Sequence, residues 1–396
     1  MLRKTSLAAA GCLAAFSLAA LAPALIPTTA LAAETPTITI SKNGSVAIAI
    51  GGISGPDGAQ IAKIVQSDLA LSGFFSFTDP ASAPMVIKGS SSGSLEGKVV
   101  ERSGGNVLMR SYDGDTASKA HAFANDIIQT LTGSRGMAGS KIAFISGRGS
   151  KKELYLANYD GSNARQLTQD GTISAAPSIS PDGSKIAYTS YLKGYADIYL
   201  INLASGARER IVKFPGTNSG ASFSPDGSRI ALTCSRDGNP ELYTVDINGG
   251  SARRLTRTPG VESSPTWSPD GSEIIYSSDD GGSPQLYRIS ASGGSGHRLS
   301  TGYGYCTKPS WSPDGKRIAF NVRDGGSFQV AVLELSGGSV RLVSGGGEAR
   351  DPVWGPDSRH LLFTQDGSLV LLDTQTSRRS SVMGGVGSAS EPSWTR

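Results

Sequence analysis

Three histidines, two cysteines beyond the N-terminal stretch and a recurring aspartate are the residues here whose types could do chemistry. His121, His297 and His360 form no His-x-x-x-His or His-Glu-x-x-His pair, so the helix-face zinc pattern is missing. Cys234 and Cys306 have no neighbouring histidine that would mark a nucleophile. Gly89-Ser90-Ser91-Ser92-Gly93 matches the Gly-x-Ser-x-Gly elbow that lifts a catalytic serine above a hydrolase sheet. It lies in a Ser/Gly-rich stretch without such a sheet around it, and is read as a turn. The aspartates Asp182, Asp226, Asp270, Asp314 and Asp357 could be imagined as a carboxylate ring. Each sits instead in a Ser-Pro-Asp-Gly phrase, worn to Gly355-Pro356-Asp357-Ser358 in the last copy. Proline presets the first central position of a type I turn, aspartate tolerates the second and glycine closes it, so a local role accounts for them.

The elements around those turns repeat. The turn prolines 181, 225, 269, 313 and 356 step by 44, 44, 44 and 43 residues. Each unit carries four strand signals; in one they are Pro309–Trp311, Arg317–Val322, Gln329–Leu335 and Val340–Val343. Four strands per repeat of this length indicate a β-propeller blade. Lys141 to Arg396 accommodates six units. The region begins at a second strand, Lys141–Phe144, and stops at a first strand, Glu391–Trp394, so pairing the two fragments would close the ring. The four tryptophans, Trp267, Trp311, Trp354 and Trp394, share one phase and are read as packing residues between blades. Cys234 and Cys306 fall in the third and fifth units, and no bridge between them is expected.

Residues 33–139 do not repeat. Strands are expected at Thr37–Ile40, Val46–Ile50, Phe74–Thr78, Met85–Lys88, Leu95–Glu101 and Asn106–Ser111. One helix is expected over Asp57–Leu71 and another after Asp115, each stopped by glycine, Gly73 or Gly133. The organisation is therefore two domains, a small N-terminal α/β domain (33–139) and a six-bladed all-β propeller (140–396) closed by the C-terminal strand. Residues 1–32 read as a secretory signal: Arg3 and Lys4, an Ala/Leu-rich run, then Ala30-Leu31-Ala32 as cleavage site. The net charge of +4 falls to about +2 without Arg3 and Lys4, which argues against nucleic acid or an anionic membrane as partner.

The strands repeat, but the loops leading into each innermost strand differ: Asp170–Ala176, Phe214–Gly220, Thr258–Ser264, Thr301–Lys308, Gly345–Asp351 and Gly384–Glu391. They reach one face, near the channel mouth, and carry Asn218, Glu262, Tyr303, Tyr305, Lys308, Glu348, Arg350, Asp351 and Glu391. A mixed-charge rim with tyrosines suits a protein or peptide partner.

The chain resembles the TolB family, the periplasmic component of the Tol-Pal system. The resemblance rests on Pro309-Ser310-Trp311-Ser312-Pro313-Asp314-Gly315-Lys316-Arg317-Ile318-Ala319-Phe320, on the helix end Asp68-Leu69-Ala70-Leu71-Ser72-Gly73-Phe74-Phe75, and on the junction Leu131-Thr132-Gly133 followed by Lys141–Phe144. It implies a non-enzymatic, monomeric periplasmic scaffold without cofactor or metal, released by cleavage near Ala32 and not inserted in a membrane. It implies binding of the lipoprotein Pal through Thr217, Asn218, Gly220, Glu262, Ser263, Tyr305, Lys308, Glu348, Arg350 and Asp351. It implies binding of TolA through the tail Glu34, Thr35, Pro36, Thr37, Ile38, Thr39 and Ile40, in support of outer-membrane integrity and cell division. The tail's alternation suits a strand added to a partner's sheet edge. The alternative is a propeller-containing periplasmic hydrolase or ligand-binding protein. The hydrolase would need a second catalytic domain, for which 33–139 is too short.

Overall fold

Alternation of apolar residues builds the small domain. The computed structural model describes residues 44–382 and 387–395. The expected signal, the tail with its strand Thr37–Ile40, and part of the last interblade loop lie outside the described residues. The domain orders β1 (Val46–Ser54), α1 (Gly58–Ser72), β2 (Phe75–Phe77), β3 (Met85–Ser91), β4 (Leu95–Glu101), β5 (Asn106–Tyr112) and α2 (Thr116–Thr132). The sheet order is β2-β1-β3-β4-β5; β1 pairs in parallel with β2 and β3, and the rest is antiparallel. One stripe of each helix, Ile61, Val65 and Leu69 on α1 and Phe123, Ile127 and Leu131 on α2, is buried with Ile48, Ile87, Leu95 and Val99 of the sheet. Gly97 on β4 is required there, since a Cβ would sit 2.9 Å from the Phe123 ring. Asp115 caps α2 by accepting the Ser118 N–H at 2.7 Å.

β3 runs three residues beyond the expected Lys88, through the Gly-x-Ser-x-Gly stretch. Its serine, Ser91, is buried and accepts a hydrogen bond from Lys119 Nζ at 3.0 Å. That ammonium also donates to Asp57 at 2.8 Å and to the Gly93 carbonyl at 2.8 Å. The ammonium's three acceptors tie α2 to the end of β3 and the start of α1.

Each blade is a four-stranded antiparallel sheet. The fourth, for instance, holds Glu262–Trp267, Glu273–Ser278, Gln285–Ser290 and His297–Arg298 from the channel outward. The expected ring closure is present: Ala389–Trp394 pairs antiparallel with Lys141–Arg148, from Ala389 opposite Ser146 to Trp394 opposite Ile142. All four tryptophans are buried between blades. The Ser-Pro-Asp-Gly turns behave as read. The Asp182 carboxylate accepts from the Ser180 hydroxyl at 2.5 Å and from the Ser184 N–H and hydroxyl, and these donors hold it down at about 2. Cys234 and Cys306 are buried free thiols in different blades.

The small domain meets the propeller through the segment Asp68–Phe74. The buried Asp68 carboxylate accepts the Tyr159 hydroxyl of the first blade and faces His121 Nδ1 at 2.8 Å. Arg359 of the sixth blade, buried with its partner Asp373 at 2.5 Å, donates to the Gly73 carbonyl at 3.2 Å and lies 3.9 Å over the Phe74 ring. Gly73 has φ 71°, and a Cβ there would stand 2.8 Å from Asp373 Oδ2.

Gly73→Ala is therefore expected to lower unfolding stability by about 1–3 kcal/mol through strain and displacement of the Arg359–Asp373 pair, measured by denaturant unfolding. Trp394→Ala, which empties the seam of the closing strand, is expected to cost about 3–5 kcal/mol in the same measurement.

Candidate binding face

The innermost strand of every blade carries an irregularity at the same place. In each, two residues stand opposite one on the second strand, as between the pairs Ala175–Thr189 and Ser178–Ala187. The bulged residues Ala176, Gly220, Ser264, Lys308, Asp351 and Glu391 all have positive φ, between 46° and 66°. Five of the six are not glycine, so each pays a local cost to hold this conformation. Side chains of the neighbouring blade fix four of them. The Gly220 N–H donates to Thr189 Oγ1 at 3.1 Å, the Lys308 N–H to Ser277 Oγ at 3.2 Å and the Asp351 N–H to Asn321 Oδ1 at 2.9 Å. The Ala176 N–H donates to Glu391 Oε2 at 2.7 Å.

These six residues line one end of a central cavity of about 380 Å³. Pro181, Pro225, Pro269 and Pro313 line the other, where Arg135 of the interdomain linker also stands. The ring is lopsided. Ala176, Gly220 and Ser264 leave half of it open, while Lys308, Asp351 and Glu391 fill the other half with charge. Lys308 Nζ lies 3.9 Å from Asp351 Oδ1. Burial opposes the Lys308 charge, but Asp351 and Glu391 outweigh it and hold the ammonium above its ordinary value. Burial pushes the Asp351 carboxyl up, against the pull of Lys308.

Beside this mouth the fold assembles a second group. The Arg350 guanidinium lies 3.9 Å over the Phe328 ring, and Tyr305 meets the same ring edge-on at 5.6 Å between centroids. Glu348 bonds Arg350 Nε at 2.8 Å and the Phe328 N–H at 3.1 Å; the arginine contact holds its carboxylate below the ordinary range. Tyr305, Glu348 and Arg350 were legible in the loops. Phe328 was not, because it begins a third strand and belongs to a hairpin. The strained ring was also missed: its non-glycine residues, at 176, 264, 308, 351 and 391, each precede a proline, a position that ordinarily favours extended backbone.

The structure separates the remaining expected residues. Thr217 is exposed on this face, and Gly220 and Ser263 are half-buried. Asn218 and Glu262 are 0% exposed. Asn218 Nδ2 donates to the Phe214 carbonyl at 2.8 Å and to Asp197 at 3.2 Å; Glu262 accepts from Thr258 and Ser278, each at 2.7 Å. Loop position had placed these two on the rim, but they are the buried pegs that seat their loops. Tyr195, 74% exposed with Tyr191 and Leu192 beside it, occupies a hairpin at the same end of the second blade. The histidines do not converge: His121 faces Asp68, His360 faces Asp357 at 2.5 Å, and His297 is exposed on an outer strand. Among the described residues no cluster of three or more His, Cys, Asp or Glu could hold a metal ion, and no helix is long and apolar enough to cross a membrane.

Comparison with known proteins agrees with this architecture. The family described as the TolB beta propeller domain matches residues 128–396. A crystal structure of TolB from Acinetobacter baumannii superposes with a TM-score of 0.80 at 26% identity, covering 89% of this chain and 97% of that one. A TolB homologue of Chlorobium chlorochromatii is 31% identical over 40% of this chain and 44% of its own length. The Tol-Pal system protein TolB of Geobacter metallireducens is 42% identical over 20% of this chain and 19% of its own. The chain thus aligns with less than half the length of these curated relatives. The matched segment contains all six blades and the strained ring at their centre, and the chain belongs to the TolB β-propeller family.

Proposed function

We propose that this chain is a non-enzymatic periplasmic scaffold of the Tol-Pal system, whose open propeller face binds the lipoprotein Pal. The observation that carries this reading is the division of the propeller's two ends. The small domain docks at the end of the Ser-Pro-Asp-Gly turns through Gly73 and Arg359, and the other end presents the mouth and the Tyr305–Phe328–Arg350 group to solvent. An aromatic and arginine cluster beside a concave mouth is the composition of a protein-binding hot spot. The groups with chemistry-bearing side chains have structural partners, as Ser91, Lys119, Asp182 and His360 do, which supports binding over catalysis. The relatives named as Tol-Pal proteins support the assignment to that system. The tail Glu34–Ile40 would engage TolA, coupling an energised inner-membrane complex to the outer membrane during division.

Purified mature protein is expected to capture Pal from an envelope extract. The double variant Tyr305→Ala/Arg350→Ala is expected to weaken that capture by at least about tenfold, as loss of hot-spot anchors does. Its unfolding stability should stay within about 1 kcal/mol of the parent, because Arg350 is exposed and Tyr305 only half-buried. Asn218→Ala should do the opposite, costing about 1–3 kcal/mol of stability by leaving buried partners unmatched. Unchanged capture by the double variant would refute the assignment of this face.

A further inference from the structure

The repeat supplies an internal control for buried polar groups. At each junction, the third-strand residue in one shared register stands beside the first residue of the next blade's inner strand. The backbone contact recurs: Asn218, Glu262, Cys306 and Ala389 each donate their N–H to the carbonyl of Ala196, Pro240, Pro284 or Gly367. Around the ring, the paired occupants are Glu153 and Ser174, Asp197 and Asn218, Glu241 and Glu262, Gln285 and Cys306, Gln329 and Ala349, and Ser368 and Ala389. Five junctions hold at most one carboxyl group. The junction between the third and fourth blades holds two, and both residues are 0% exposed.

The surroundings neutralise one of them. Glu241 Oε1 accepts from Arg254 at 2.7 Å and from the Thr258 N–H at 3.0 Å. Glu262 Oε1 accepts only hydroxyls, Thr258 and Ser278. The other ionisable groups nearby add no second positive partner. Asp237 lies 3.7 Å from Arg254, is bonded by Tyr243 and is paired with Arg236. Tyr276 is buried, and Asp279 and Asp280 are acidic; Asp279 accepts the Val261 N–H at 2.7 Å. The two carboxyl groups meet at Thr258, whose N–H bonds Glu241 Oε1 at 3.0 Å and whose hydroxyl bonds Glu262 Oε1 at 2.7 Å. Oε2 of each is buried without a hydrogen-bond partner, and the Thr256 hydroxyl beside Glu241 adds to what holds that carboxyl low. Two buried carboxylates with one cationic partner, Arg254 on Glu241, carry an uncompensated charge, and a single proton removes it.

We propose that Glu241 and Glu262 form a site for one shared proton, and that loss of this proton loosens the Thr258–Ser264 loop. Both carboxyls hold that loop, through the N–H and the hydroxyl of Thr258, so their repulsion acts directly on its seat. The loop borders the proposed docking face; the proton site itself does not depend on that reading. Burial, ahead of the neighbouring charge of Glu241, pushes the Glu262 carboxyl up to about 7, while Glu241 is held below its ordinary value. The sign follows. A carboxyl raised in the folded state stabilises fully below its ordinary value of 4.5 and loses that contribution as pH climbs to about 7.

The test is denaturant unfolding of the mature protein at pH 5 and pH 8, with a chelator present throughout, for the parent, Glu262→Gln and Glu241→Gln. The parent is expected to lose on the order of 100-fold in its folding constant between the two conditions. Glu262→Gln, which carries a permanent donor, is expected to lose most of that dependence and to exceed the parent at pH 8. Amide exchange of residues 258–262 should accelerate at pH 8 in the parent and not in the variant. Carbon-13 carboxyl titration of the parent should show a glutamate titrating above pH 6, a readout that survives if a variant fails to fold. Absence of such a titration, or the same pH dependence in Glu262→Gln, would overturn the proposal. None of these three readouts involves Pal, so this result and the result for the docking face stand or fall separately.

Discussion

Ring closure is the constraint on which the rest depends. Consecutive blades alone would leave the first without its inner strand, and here the chain supplies it by giving its last strand to its first blade. The junction is reinforced at its end, where the Trp394 indole donates to Ser140 Oγ at 2.8 Å and the Thr395 N–H to the Lys141 carbonyl at 3.0 Å. Residues about 250 apart in sequence thus share one blade, and the six bulged residues are brought around one axis. The charged half of the mouth depends on it directly: Glu391 comes from the closing strand, and its carboxylate bonds the backbone of Ala176 in the second blade. An open ring would lose the mouth before it lost the blades.

The same logic explains the phrase from Asp68 to Phe75, which local structure alone does not. A helix needs only a stop at Gly73. The remaining residues answer to the propeller: Asp68 to Tyr159, Gly73 to Asp373 and Arg359, and Phe74 to the Arg359 guanidinium. A buried Arg–Asp pair is weak evidence of stability by itself, since desolvation offsets much of its Coulomb energy. Here the guanidinium gives a further donor to a helix-ending carbonyl and its face to an aromatic ring. That geometry favours one docking arrangement over others and keeps the small domain on the end away from the loops.

The fold was readable because its signals are local and repeated. The six units, the closing strand and the packing role of the tryptophans followed from period and phase alone. The elements of the small domain followed from apolar spacing and glycine stops; β3 ran long because its Ser/Gly tail pairs with β4 and is anchored by Lys119. The face was readable only in part. Loop variability pointed to Tyr305, Glu348 and Arg350, but it could not separate residues that look outward from those that hold a loop down. Asn218 and Glu262 are adjacent to exposed residues and buried all the same, because the first position of each inner strand turns toward the preceding blade. Phe328 was hidden for the converse reason: it belongs to a repeating strand, and its partners arrive from two other loops.

Repetition also changes how an exception is weighed. In a fold without symmetry, a buried carboxyl pair or a strained lysine is one observation with many possible origins. Here each position has five counterparts built by the same backbone, so geometry is held constant while the side chain varies. The bulge recurs in all six blades and is therefore a property of the propeller, required to turn the inner strand at the mouth. The charges placed on it recur in only three, and the buried pair of glutamates in one. Packing explains what the blades share. What they do not share is free to answer to something outside the fold, and in this chain those departures gather at the end of the propeller that the small domain leaves uncovered.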